Sequence, residues 1–370
     1  MKKNWIKEID YLRAVAILAV ILIHATDPWD SITPLTSVGI IALTLNELSI
    51  FGVSFFFVIS GMVLFRSMQK KDAIIPFYLR RIQSILIPYL FFTIIYEIFK
   101  KFYLGIPLSQ ATVFHDLYTG QGYFHFWFLV VLFYYYLIYP FLYRIFIKFK
   151  QLNPFLNGIV FIVFLVLPFL WQITSSKFGL AKIDGQVRIT EFFRYLPFLY
   201  GGIAISANYE RIKQNLHLTK TLILASVSLV AIFTLIFSIY LAVNHPGIFV
   251  HIQGIYHYYS LIFLPFYVFP LFFILIKFFS SVNINQSVLN LLKKIGDYSL
   301  GIYLIHIMYN ILIFGELIYK YLNLTWNNIL AYILLFIGSS LASILTIWII
   351  SKIPYSGWIL GNRVRNAKTI

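Results

Sequence analysis

Residues 9–27 read IDYLRAVAILAVILIHATD, an apolar run with Arg13 near its start and His24 near its end. On a helix the two lie roughly 16 Å apart, and about three turns bring them to nearly the same face. A guanidinium and an imidazole on one stripe of a membrane-length helix are costly unless each meets a cavity, a ligand or a partner. One reading puts Arg13 at the cytoplasmic end and makes His24 the first candidate for chemistry. The other makes Arg13 an interfacial anchor with its head in water, and His24 a packed, satisfied polar group.

Similar apolar blocks recur along the whole chain. Of its 370 residues 60% are hydrophobic and only 11% charged, with a mean hydropathy of +0.83; a soluble domain carries about 25% charged residues. Stretches long enough to span a bilayer fall at 9–26, 38–64, 82–99, 124–147, 155–173, 191–208, 219–243, 257–279, 297–319 and 328–350. Backbone groups in lipid must be satisfied within their own segment, so these are helices. The expected fold is an all-α polytopic membrane helix bundle with about ten transmembrane helices. The second stretch exceeds one span and is expected to tilt, or to break near Asn46 and Glu47.

The formal charge of +16 raises a nucleic-acid partner, but its distribution argues against one. With the N-terminus inside, lysine and arginine gather in alternate loops, as topology signals do. Only Lys100, Lys101, Lys177, Lys182, Arg188, Arg194 and Lys320 fall outside or at the outer boundary. Both termini are then cytoplasmic. Residues 1–352 form an integral-membrane domain and 353–370 a short basic tail. Lys2, Lys3 and Lys7 flank the first run, yet no small-residue cleavage site follows it, so it reads as a retained helix rather than a signal peptide. The absence of cysteine excludes disulfides, thiolate metal sites and cysteine nucleophiles.

Polar islands break this background. Asp27 lies three residues beyond His24 and can orient its imidazole if the helix persists that far; otherwise it opens an outer loop. Glu47, beside Asn46 and Ser49, is a loop anchor or a carboxylate able to orient His24 or take its proton. Arg80 and Arg81 stand beside the aromatic pair Phe77 and Tyr78 and suit phosphates or anionic headgroups, whereas Lys70 and Lys71 read as topology signals. Ser299, Tyr303 and His306 share one helical face, either as a site or as a packed Tyr–His network. His245, His251 and His257 fall in an outer loop and at a helix mouth, without the spacing of a metal site. Residues 100–123 and 174–190 read as outer loops. A water-soluble activated donor such as a coenzyme A thioester exists only in the cytosol, while surface glycans are modified outside. Cationic anchors inside and a histidine toward the outer half suit a reaction between the two, with His24 as general base or acyl carrier.

These residues resemble the integral-membrane acyltransferase 3 family over essentially the whole chain. The arginine–histidine pair is Arg13 and His24, and the phenylalanine-rich element is FFVISG, Phe56 to Gly61. The FxxRR…P pattern is Phe77, Arg80, Arg81 and Pro88. HFWFL runs from His125 through Trp127 to Leu129, and the late pattern is Gly296, Ser299, Tyr303, Leu304 and His306. The resemblance implies transfer of an acyl group, usually acetyl, from cytosolic acyl-CoA to a hydroxyl of an extracytoplasmic glycan or lipid-linked sugar. It implies that His24 is catalytic, with Arg13, Arg80 and Arg81 handling the donor. It implies that His125, with Trp127, lines the acceptor side, and that Ser299, Tyr303 and His306 support. Many members have aspartate where Ser54 stands in GVSFFF, which shifts any acidic role to Glu47 or Asp27. Unlike the fused members, the chain is expected to lack a soluble esterase-like domain after the membrane unit.

Chain length and Ser54 also resemble a subgroup associated with poly-N-acetylglucosamine production. Two other readings therefore stand beside the enzyme: an exporter of such a polymer, and a structural partner in a glycan synthase complex. The expected setting is the bacterial plasma (inner) membrane, among membrane lipids and cell-envelope glycan synthesis proteins. The expected donor is acetyl-CoA or another acyl-CoA, with no metal and no nucleic acid.

Overall fold

The computed structural model describes residues 6–26, 36–68, 74–107, 109–179, 188–244 and 246–361, and among them every regular element is helical. In chain order these are α1 (Glu8–Ala25), α2 (Ser37–Ser49), α3 (Phe51–Met68), α4 (Ile74–Arg81), α5 (Ile87–Tyr103), α6 (Gln110–Thr119), α7 (Trp127–Leu152) and α8 (Phe155–Lys177). They continue with α9 (Ile189–Ala207), α10 (Tyr209–Asn215), α11 (Leu218–Asn244), α12 (Pro246–Ser281), α13 (Gln286–Asp297), α14 (Ser299–Leu312), α15 (Ile329–Ile350) and α16 (Ser356–Ile359). A π-helical stretch, Ile82–Leu86, leads into α5, and another, Ile313–Tyr321, continues α14.

Among the described residues seven helical segments are long and apolar enough to cross a membrane, or eight if α10 and residues 219–234, bent by 97°, form one broken span. The protein is thus an all-α polytopic membrane protein. Helix occupies each of the ten stretches expected from the sequence. The shortfall has a chemical reason in two of them: α1 carries Glu8, Asp10 and Arg13 within 18 residues, and Glu191 and Arg194 dilute α9.

The chain divides into two compact units, Met1–Phe56 with Asn208–Trp348, and Phe57–Ala207 with Ile349–Ile370. The first is built around α1, which packs against α2, α12, α13 and α14. Glu8 and Asp10 stand at its N-terminal, dipole-positive end, and Glu8 pairs with Lys213 at 2.7 Å. Its C-terminal carbonyls, which have no partners within the helix, are met from two sides. Thr26 Oγ1 donates to the Leu22 carbonyl at 2.6 Å, and Asn46 Nδ2 donates to the Ile23 carbonyl at 2.6 Å. Glycines let neighbours approach α1 closely, as membrane helices require when no hydrophobic force drives them together. A Cβ on Gly52 would lie 2.7 Å from the Ala16 carbonyl oxygen, and one on Gly296 would overlap that of Asp10.

In the second unit α3 and α9 cross backbone to backbone. A Cβ on Gly61 would strike the Leu199 carbonyl, and one on Gly202 would strike that of Val58. Ser206 Oγ donates to the Met62 carbonyl at 3.1 Å beside them. Phe57 fills the centre, its ring 4.7 Å from both Phe128 and Tyr195 and 5.3 Å from Tyr135. By contrast, only 6% of the apolar window in α8 is buried, so that helix offers most of its surface to lipid. It is held by Tyr200 OH donating to Asn157 Oδ1 at 2.6 Å and Trp171 Nε1 donating to Thr190 Oγ1 at 3.0 Å.

The long second stretch breaks as expected, at Ile50 between α2 and α3, just after Asn46 and Glu47. Two loop expectations need correction. Residues 100–123 are not a bare loop, because α6 forms inside them. His251 lies on α12 rather than in a loop, and His257, expected at a helix mouth, lies within the same helix. The helix begins at Pro246, whose fixed φ and missing N–H suit a first helical position. His245 lies outside the described residues.

Candidate active site

Near the C-terminal end of α1 the His24 ring lies 5.3 Å from the His306 ring, centroid to centroid, at an interplanar angle of 40°. His306 is fully buried. Its Nδ1 lies 2.7 Å from the Tyr303 carbonyl oxygen, one turn earlier on α14. A carbonyl only accepts, so Nδ1 carries the hydrogen and Nε2 of the neutral ring keeps a lone pair. Backbone geometry has therefore chosen the tautomer. Ser299 and Tyr303 are buried on the same helix, and the Tyr303 ring sits 5.9 Å from that of His306. The face expected from their spacing exists.

One α2 residue reaches this arrangement, and a second follows it in sequence. Asn46 holds the carbonyl next to His24, as described above, and Glu47 follows it, buried at 8% exposure. Arg13 is half-buried on α1, eleven residues before His24. Asp27 lies outside the described residues; α1 ends at Ala25. Ser54 is fully buried, and its Oγ has no hydrogen-bond partner among the described residues.

Sequence reading missed Asn310. It is one turn beyond His306, 8% exposed, and neither its amide nitrogen nor its oxygen has a hydrogen-bond partner among the described residues. The available signal was a lone amide in an apolar helix, four residues after the histidine.

The second unit holds the other candidates. The Arg81 guanidinium lies 5.4 Å from the Phe77 ring centroid and 5.5 Å from that of Tyr136. Its Nη2 donates to Ser67 Oγ at 3.3 Å. Phe77, one turn before Arg81 on α4, is fully buried and serves as its platform. Arg80 is half-buried next to it. The π-helical turn follows directly, and Pro88 comes just after it, where the change of helical pitch accommodates a residue without an N–H. The FxxRR…P pattern is thus a rigid mount for a guanidinium.

His125 sits 2% exposed in the 3-10 turn Phe124–Phe126 that opens α7. Its ring lies 5.5 Å from Tyr96 and 5.9 Å from Tyr123. Trp127 begins α7 and stacks on Tyr195 at 5.5 Å. Nearby in sequence, Lys100 holds Asp116 at 2.9 Å and also pairs with Glu97, a buried network that spacing did not reveal. No group of three or more His, Asp or Glu side chains able to hold a metal occurs among the described residues.

The model of the acyltransferase 3 family, described as an acyltransferase domain, matches residues 6–348. The chain belongs to that family. No curated protein and no solved structure matches it. It is a membrane-bound O-acyltransferase that moves an acyl group from acyl-CoA to a hydroxyl of an extracytoplasmic glycan. Of the three readings open to the sequence, family membership supports the enzyme rather than the exporter or the scaffold.

Proposed function

We propose that the enzyme transfers acetyl from acetyl-CoA and that His24 is its general base. The observation that carries this reading is the contact between two imidazoles, one of them locked as the Nδ1–H tautomer by the Tyr303 carbonyl. The acceptor oxygen attacks the thioester carbonyl carbon as its proton passes to His24. The tetrahedral intermediate collapses, the carbon–sulfur bond breaks, and the departing thiolate recovers that proton. Ser299, Tyr303 and His306 hold the imidazole. Glu47 or Asp27 sets its charge state and tautomer.

Arg13, Arg80 and Arg81 take the donor's phosphates. A guanidinium fixed between two rings and a hydroxyl, as Arg81 is, loses little freedom on meeting an anion. His125 and Trp127 serve the sugar acceptor, with aromatic rings as platforms. On the basis of charge placement, ten spans leave both termini in the cytoplasm of a bacterial inner-membrane protein. Residues 1–352 are the acyltransferase domain and 353–370 its basic tail. The acceptor is a surface polymer of the poly-N-acetylglucosamine kind, made by neighbouring envelope synthesis proteins.

Transfer of radiolabelled acetyl from acetyl-CoA to envelope glycan in membranes tests the assignment. His24→Ala is expected to insert normally and transfer nothing above background. Near-normal turnover by that variant rejects the role.

A further inference from the structure

We propose that Asn310 is a catalytic residue whose side-chain N–H donates to the thioester carbonyl oxygen as it becomes an oxyanion. The proposal rests on the assignment of His24 as base in acyl transfer.

Four observations converge on it. A buried amide without a partner is costly, the more so on an apolar membrane helix, yet neither polar atom of Asn310 is engaged among the described residues. An asparagine that merely joined helices would be hydrogen-bonded across them. Its position is also specific. It lies one turn after His306, whose ring meets His24, and before Ile318, which packs in one cluster with Ala25. Asn310 is thus bracketed in sequence by a residue that contacts His24 and one that shares a cluster with Ala25. Across from it on α15, the Tyr309–Thr346 hydrogen bond and the approach of Gly338 to Ile313 set the level of residues 338–346. Within that segment Ser340 and Ser343 are buried with no hydrogen-bond partner among the described residues. Among the described residues, buried, unpartnered polar side chains thus continue along α14 and α15 beyond the imidazoles, and none of them is acidic.

The chemistry needs such a donor. When the acceptor oxygen adds to the carbonyl carbon, the carbonyl π electrons move onto oxygen, and an N–H aimed there stabilises the charge in a water-poor site. Collapse re-forms the C=O bond, expels coenzyme A as thiolate, and returns the proton from His24 to sulfur. An amide supplies N–H without competing for the proton, a division of labour that imidazoles alone do not provide.

The test uses the full-length enzyme in membranes of a host lacking its own copy, with labelled acetyl-CoA and the host's envelope glycan as acceptor. Wild type, His24→Ala, Asn310→Leu and Asn310→Ala are compared. Asn310→Leu replaces an unengaged amide by an apolar group of similar size, so membrane abundance and thermal stability are expected to match or exceed wild type. Its kcat is expected to fall by about 10²–10³ with KM for acetyl-CoA within about twofold. Asn310→Ala removes both amide atoms and is expected to lose as much. Either variant retaining kcat within about threefold of wild type overturns the role of Asn310. If Asn310→Leu fails to accumulate, the decision falls to Asn310→Ala by the same criterion. Should wild type itself transfer nothing, the acetyl-transfer reading fails and this proposal with it; an active wild type, a dead His24→Ala and an active Asn310→Leu sink the proposal alone.

Discussion

Around their candidate residues the two units pair polar groups in different ways. In the second, cations are matched with what cannot take their proton usefully or with fixed counter-charges: Arg81 with two aromatic rings and a hydroxyl, Lys100 with two carboxylates. In the first, an imidazole meets an imidazole, and an amide beyond them has no partner among the described residues. A guanidinium or ammonium only donates, so it can hold an anion but cannot accept a proton from a reacting hydroxyl. An imidazole does both, and a second imidazole of fixed tautomer beside it offers a lone pair at a known nitrogen. The difference separates holding from reacting.

The sharpest way to break this division is at His24. Alanine there is expected to lower acetyl transfer by about 10³–10⁴-fold, at the upper end for loss of general-base catalysis, while membrane abundance stays unchanged. His306 sharpens it further, because its two nitrogens have separate duties. Asparagine places an amide near the Nδ1 position and can keep the bond to the Tyr303 carbonyl; glutamine reaches the Nε2 position and keeps an acceptor there. If the lone pair matters to His24, His306→Gln should retain more kcat than His306→Asn, with the latter reduced by about 10²-fold. The reverse order, measured as initial rates at saturating acetyl-CoA, would make His306 a helix fastener only.

The holding side predicts a different signature. Arg81→Lys keeps the charge but loses the plane that stacks between Phe77 and Tyr136. Its KM for acetyl-CoA is expected to rise about tenfold at nearly constant kcat, the size of a cation–π contact of about 1–2 kcal/mol. Phe77→Ala, which removes the platform, should move KM in the same direction. A donor titration that superimposes on wild type would remove Arg81 from donor handling.

What could be read from the chain follows from the range of the forces involved. Local periodicity placed Ser299, Tyr303 and His306 on one face, and the length of the second apolar stretch announced its break. The ten-residue α6 escaped notice because its apolar pattern is short and sits between turn-forming residues. At α12 the Pro246–Gly247 pair read as a loop, although proline at a first helical position starts a helix as readily as it ends one. The His24–His306 contact joins residues far apart in sequence and was visible only as two separate polar islands. Asn310 is harder still, since an amide in an apolar helix carries no sign of its partners. Only tertiary packing shows them missing among the described residues.

The smallest expected effect on chemistry belongs to a residue whose motif membership suggests otherwise. Gly61 ends FFVISG, yet it faces the Leu199 carbonyl across the α3–α9 crossing, where Gly202 reciprocates against Val58. A methyl at either position must push two backbones apart, at about 1–3 kcal/mol for an overpacked contact. Gly61→Ala should therefore lower thermal stability in detergent and reduce the amount of protein in membranes, while turnover per folded molecule stays within about twofold of wild type. If the rate per folded molecule falls tenfold instead, the crossing does more than fasten two helices, and the separation of holding from reacting fails within the second unit.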